Sequence, residues 1–131
     1  MLCIIAGSRC VRESDVVFAM NFCPWKKDIR KVISGTAYGA DRFGERWAVR
    51  EGLEVIRFPA QWDTYGLSAG PRRNKEMSDN ADCLIAIWNG VSTGTMSMIN
   101  YSKKIGLRTM IYFYNEDRFE FYNRSEQLSL V

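Results

Sequence analysis

Apolar residues gather in five short runs: "LCIIA" (2–6), "KVIS" (31–34), "LEVIRF" (53–58), "DCLIAIW" (82–88) and "LRTMIYFY" (107–114). Each stops at a turn signal, in order Gly7, Gly35, Pro59, Asn89-Gly90 and Asn115-Glu116-Asp117. Nearly continuous apolar runs bounded by Gly, Pro and Asn mark strands buried on both faces. The segments between them, 13–22, 40–51, 71–80 and 94–105, are helical in pattern, and the Asn-Glu-Asp start predicts a further helix over 117–127. In the second segment Ala40, Phe43, Gly44, Trp47 and Ala48 recur at helical spacing and form the stripe that faces a sheet. Arg42, Glu45, Arg46 and Arg50 then point mainly to solvent.

Strands alternating with helices predict an α/β fold, with right-handed crossovers and a mainly parallel sheet covered on both faces. The expected architecture is a single Rossmann-like domain over residues 1–131, with about five strands and helices on both faces. Internal repeats and low-complexity tracts are absent, and the least patterned piece is "PAQWDTYGLSAG" (59–70), a candidate lid or dimer contact.

Composition narrows the chemistry. The 131 residues, 47% hydrophobic and 25% charged, suit one globular domain with its own core. Apolar runs fall short of the roughly 18 residues a membrane span requires, and "MLCIIAG" lacks a basic leader and a cleavage site. A cytoplasmic protein with no membrane partner is expected. The net charge of +3, from 18 basic and 15 acidic side chains, is spread along the chain, which disfavours a nucleic-acid partner. Cys3, Cys10, Cys23 and Cys83 form no C-x-x-C pair and histidine is absent, so no metal site is expected. Reduced thiols in a reducing compartment are the simple reading. The missing histidine also excludes Ser-His-Asp and Cys-His catalysis, leaving carboxylates, arginine or a bound group.

Three glycine-bearing loops follow strands: "GSR" (7–9), "SGTAYGAD" (34–41) and "NGVSTGT" (89–95). In an open parallel sheet such loops line the crevice beyond the carboxyl ends of the strands. Glycine lets the backbone approach a ligand, and amides at helix N-termini bind phosphate or carboxylate oxygens. The candidate ligand-binding residues are therefore Gly7, Ser8, Arg9, Ser34, Gly35, Thr36, Gly39, Asp41, Asn89, Gly90, Ser92, Thr93, Gly94 and Thr95. Asp41 either stabilises the start of its helix or accepts hydrogen bonds from a ribose or base. "AGPRRNKEM" (69–77) opens a helix with Arg72 and Arg73, cations at the positive end of a helix, where an anionic partner relieves the conflict. Arg73 and Asn74 join the candidates. Trp62, Tyr65 and Trp88 are either base-stacking surfaces or core.

The ordered motifs "IAGSR", "VISGTAYGAD", "FPAQW", "AGPRRNKEM", "DCLIAIWNG" and "STGTMSMI" carry a resemblance. Over roughly residues 3–112 the chain resembles the SLOG superfamily, specifically its small YspA-like branch, with 113–131 as a C-terminal extension. Thr36 stands where that branch commonly has a second glycine. The resemblance implies a Rossmann-like domain binding a nucleotide or nucleotide-derived ligand, such as an ADP-ribose derivative, and a homo-oligomer. It implies no separate cofactor. The setting it implies is a sensor or sequestering module, including a phage protein that counters a host nucleotide signal.

The alternative is a hydrolase acting on an N-glycosidic or phosphate bond. The similar LOG phosphoribohydrolases use an arginine and a glutamate, and "RNKEM" puts Arg73 at the arginine position. "GTMSM" puts Met98 where the glutamate belongs, a break that the nucleoside deoxyribosyltransferase motif shares. Met98 reads as a core residue. Turnover then needs Arg73 on a phosphate with another acid, Asp41 first, then Glu45 or Glu76. DNA binding, as in the DprA relatives, calls for a clearer basic stripe.

Overall fold

The computed structural model describes residues 1–123. Its elements in chain order are β1 (Leu2–Gly7), α1 (Glu13–Phe22), β2 (Lys31–Ser34), α2 (Ala40–Arg50), β3 (Glu54–Arg57), α3 (Trp62–Tyr65), α4 (Ala69–Asp79), β4 (Cys83–Trp88), α5 (Thr93–Lys104), β5 (Arg108–Phe113) and β6 (Arg118–Tyr122). All six strands join one sheet in the order β3-β2-β1-β4-β5-β6. The first five run parallel, and β6 is antiparallel to β5. Strand order reverses between β1 and β4, which pair with Cys3 beside Cys83 and Gly7 beside Ile87.

Alternation along the strands builds two cores. Cys3 and Ile5 of β1 and Ile85 and Ile87 of β4 pack with Val16, Met20, Trp47 and Ala48 from α1 and α2. Ile4, Ala6, Leu84 and Ala86 face the other way, onto Met77, Met98 and Ile99 of α4 and α5. The sheet is thus covered by helices on both faces, and Met98 is a core residue, 2% exposed. Among the described residues no helix is long and apolar enough to cross a membrane.

The pattern of 117–127 predicts a helix, but the chain forms β6, while 124–127 lie outside the described residues. Asn115-Glu116-Asp117 acts as a tight turn: Glu116 N donates to Phe113 O at 3.0 Å and Asp117 takes φ 48°. Phe119 then stacks on Tyr112 at 4.5 Å, and the period-two contact prevails over the start signal. The 59–70 stretch also gains structure, since α3 and a 3-10 turn at Gly66–Ser68 lead directly into α4. That helix begins at Ala69, two residues ahead of the segment its pattern predicts.

The stripe of α2 faces the sheet as its spacing predicts, with Ala40, Gly44, Trp47 and Ala48 buried. Asp41 joins them, and Glu45 departs from its expected solvent position. Its carboxylate accepts from Ser34 Oγ at 2.6 Å and from Arg57 Nε at 2.9 Å. Gly44 marks where α2 lies closest to β1: a Cβ there would sit 2.6 Å from Ile5 Cγ2 and 2.8 Å from Ile5 Cβ. Alanine is the better helix former by about 1 kcal/mol. Overpacking against a β-branched core residue costs about 1–3 kcal/mol. Gly44→Ala is therefore expected to be net destabilising, and a lower urea midpoint checks it; an unchanged or higher midpoint would mean the close approach is not constraining.

Candidate functional site

The carboxyl ends of β1 and β4 touch at a point where no side chain fits. A Cβ on Gly7 would lie 1.9 Å from Ile87 O. One residue on, Ser8 N donates to the same carbonyl at 2.9 Å. The buried Ser8 hydroxyl accepts from Asn89 N at 3.0 Å and meets Ser92 Oγ at 3.0 Å. Loop 7–9 is thereby tied to loop 89–95. Loop 34–41 closes on the other side, where Ala40 N donates to Ser8 O at 3.3 Å. Gly39, at φ 83°, has no room for a Cβ, which would lie 2.6 Å from both Ser8 O and Arg9 O. The three loops therefore meet where the strand order reverses.

Between them is a cavity of about 460 Å³. Of the candidates, Gly7, Ser8, Arg9, Asp41, Arg73, Asn74, Asn89, Ser92, Thr93, Gly94 and Thr95 line it. Ser34, Gly35, Thr36, Gly39 and Gly90 do not. Ser34 turns away to Glu45, Gly39 seals the contact with loop 7–9, and Gly90, at φ 82°, is a solvent-exposed turn. Ala6, Cys10, Ala37 and Met77 also line the cavity, though their residue types gave no sign of it, and so does Met98, at the motif position where a glutamate was sought.

One wall is the start of α5. Ser92 stands at its N-cap, but no side-chain hydrogen bond caps the helix, because the serine hydroxyl is turned to Ser8 and to Thr95 Oγ1. Asn89 Oδ1 holds the preceding turn by accepting from Val91 N and Ser92 N, both at 2.8 Å. The first-turn amides of a helix have no intrahelical acceptors, so this end presents donors and the positive end of a dipole.

Asp41 and Arg73 bring charge to the same cavity. Asp41, 5% exposed, accepts from Ala37 N at 3.2 Å. Burial pushes its carboxyl up to about 6, against the opposing pull of the Ala37 amide and the Arg73 charge. Arg73 is held below its ordinary value, also by burial, with Asp41 acting the other way. Its guanidinium donates to Gly35 O at 2.5 Å and to Asn74 Oδ1 at 2.9 Å, and Asn74 Nδ2 in turn donates to Gly94 O at 3.3 Å. Gly35 is bare for this reason: a Cβ would lie 2.7 Å from Asp41 Oδ2 and 2.8 Å from Arg73 Nη1. The spareness of "SGTAYGAD" thus makes room for two charged side chains rather than presenting its own amides to the cavity.

The remaining candidates sit elsewhere. Arg72 stacks its guanidinium over Tyr65 at 4.3 Å, and both line a separate surface concavity with Glu76. Trp62 is 54% exposed, and Trp88 packs against Phe113 while its indole N–H donates to Ser92 O at 3.0 Å. None of these aromatics lines the crevice. A larger groove of about 680 Å³ runs over Arg42, Arg46, Arg50 and Arg57 on the outer side of α2. Glu13 pairs with Arg46 and Arg50, and Glu45 pairs with Arg57, so three of the four arginines already have a carboxylate partner, two of them sharing Glu13. The crevice, with uncapped amides and a deeply placed carboxylate, is the better candidate.

No family model and no solved structure matches the chain. The Gene 61 protein of Mycobacterium phage D29 is 37% identical over 82 residues, a stretch covering 58% of this chain and 66% of that protein. The chain is therefore similar to a phage protein whose name states no activity, and spans just under two thirds of its length.

Two outcomes follow from the local geometry. Thr36 takes φ 67°, a left-handed conformation that a β-branched residue reaches only under strain of about 1–3 kcal/mol. Glycine relieves the strain but loses more chain entropy on folding, so Thr36→Gly is expected to stabilise by up to about 1 kcal/mol, read from denaturant midpoints. A loss of stability would show that the threonine side chain contributes more than its backbone costs.

For Asp41, the folded pKa near 6 lies above the ordinary value of 3.8, so between these pH values the native state binds the extra proton. Its contribution favours folding at low pH and is lost as pH rises from about 4 to 6, by at most about 3 kcal/mol. Wild type should lose stability relative to Asp41→Asn across that window and run parallel to it outside. Parallel curves throughout would mean that Asp41 is not desolvated.

Proposed function

We propose that this chain binds a nucleotide or nucleotide-derived ligand, ADP-ribose-like or a nucleoside phosphate, in the crevice at the β1/β4 reversal. The observation that carries the reading is Ser8, whose hydroxyl joins loops 7–9 and 89–95 around uncapped helix amides in a cavity that also holds a buried carboxylate and the half-buried Arg73 guanidinium. Helix-start amides suit phosphate oxygens. Asp41 suits the hydroxyls of a ribose or the N–H groups of a base, as an acceptor should. The volume of about 460 Å³ lies within the range of small-molecule sites. Strand order 3-2-1-4-5-6 is that of Rossmann-like dinucleotide folds, which place ligands at this reversal. The resemblance to the YspA-like branch of the SLOG superfamily points to the same ligand class.

Binding without turnover is the preferred reading. Met98, at the position of the LOG glutamate, is packed in the core beneath the cavity, with Ser78 Oγ donating to its sulfur at 3.2 Å. No carboxylate therefore stands there to stabilise a developing oxocarbenium ion. A sensor or a sequestering module, acting in the cytoplasm and in a phage setting, fits such a site, and the similarity to a phage protein supports that setting. One observation favours the hydrolase alternative. Asp41 has a carboxyl tuned to about 6 inside the cavity, within the range of a general acid near neutral pH.

Incubation with a panel of nucleotides, with melting temperature and recovered small molecules both measured, separates the readings. A ligand that raises the melting temperature and returns intact supports binding. Release of free base, ribose phosphate or inorganic phosphate at catalytic rates reverses the ranking, and no stabilisation by any phosphorylated nucleoside removes both. Arg73→Ala should weaken phosphorylated ligands by about tenfold or more and nucleosides far less, since a charge-assisted contact is lost only with the phosphate. Equal loss for both would place the phosphate away from Arg73.

A further inference from the structure

The sheet ends in an aromatic edge that the crevice does not use. Among the described residues, β6 pairs with β5 on one side and with no strand on the other. On the α1 face of this edge, Phe22 stacks on Phe119 at 4.1 Å, Phe119 lies 6.2 Å from Phe121, and Phe18 lies 6.0 Å from Phe119. Phe18, Phe22 and Phe121 nevertheless remain 47%, 52% and 49% exposed. Contiguous half-exposed aromatic rings beside an edge strand make a surface suited to association. On the opposite face of β6, Arg118 and Glu120 stand in alternate positions and pair with each other, and Arg118 also donates to Glu116 in the turn ahead of the strand, at 2.9 Å.

We propose that β6 pairs antiparallel with β6 of a second copy, in the register centred on Phe119. Charge selects both partner and register. Two-fold pairing of identical strands about Phe119 sets Arg118 opposite the partner's Glu120, and Glu120 opposite the partner's Arg118. Directly opposed side chains on one sheet face lie about 4.5–5.5 Å apart at Cβ, within ion-pair reach. Centring on Arg118 or on Glu120 instead sets like charges face to face, and centring on Phe121 sets Glu120 opposite Tyr122, with no counter-charge. The chosen register keeps the phenylalanines of both copies on one face, where they form a continuous stripe with Phe18 and Phe22. The two sheets then join into one of twelve strands, and the crevices lie away from the contact.

Sedimentation of the full chain over a concentration series tests this. Wild type is expected to dimerise, and Arg118→Glu and Glu120→Arg each to associate at least about tenfold more weakly, since each sets like charges opposed twice. Mixing the two single variants in equal amounts restores complementarity in the heterodimer, so the mixture should dimerise where neither component does. The variant E116R/R118E/E120R reverses the polarity of the whole intrachain network and should dimerise with itself. A wild type that is monomeric at every concentration overturns the proposal and leaves the edge to another protein. So does a mixture no more associated than its components, or single variants that dimerise as wild type does.

Discussion

The close contact between the carboxyl ends of β1 and β4 is the constraint on which the candidate site depends. Two parallel strands at a reversal of strand order usually splay, because their connections leave toward opposite faces of the sheet. Here they stay joined for one residue more, since Gly7 carries nothing that would strike Ile87 O. That extra residue delivers the Ser8 amide to the same carbonyl and the Ser8 hydroxyl to the far loop. Gly39 then packs its bare backbone on the carbonyls of Ser8 and Arg9. The three loops are positioned by backbone contact, with few side chains between them, which keeps the crevice small and its donors aligned.

Inside that frame the electrostatics are unbalanced in a way that suits a ligand. Asp41 and Arg73 are both partly stripped of water, and each finds protein partners that only partly replace it. The uncapped start of α5 lines the same cavity. A molecule with both hydroxyl or N–H donors and an anionic group would complement both at once, whereas a simple anion would satisfy only one. The enzyme reading draws on the same carboxyl that the binding reading treats as an acceptor, and the two differ in whether Asp41 must change protonation during a cycle.

The sheet handles its two edges differently. β3 ends in charged residues, with Glu54 paired to Lys31 and Arg57 to Glu45, a common way to discourage strand addition. β6 instead presents alternating Arg and Glu on one face and phenylalanine on the other. The first device repels association in general, and the second is compatible with one symmetrical partner.

The strands, the crossover helices and the three glycine loops were legible from the sequence because their causes are local: apolar runs of the right length, helical spacing, and breakers at the ends. Three of the chosen loop positions and three aromatic residues nonetheless had ambiguous roles. Ser34, Gly35 and Thr36 look like phosphate-loop residues, yet one bonds Glu45, one clears space for Asp41 and Arg73, and one sits strained at positive φ. Trp62, Tyr65 and Trp88 carry equal aromatic character, and only packing decides that none lines the cavity. The hairpin into β6 was hidden because a start signal for a helix and a tight turn share the residues Asn-Glu-Asp, and only the contact of Phe119 with Tyr112 separates them. What the sequence alone determined is the α/β order of elements and the set of polar residues available at the strand ends. Tertiary structure decided which of them meet, because Ser8 and Ser92 lie 84 positions apart and come within 3.0 Å only through the pairing of β1 with β4. That neighbour relation belongs to the whole sheet and is written in no short stretch of chain.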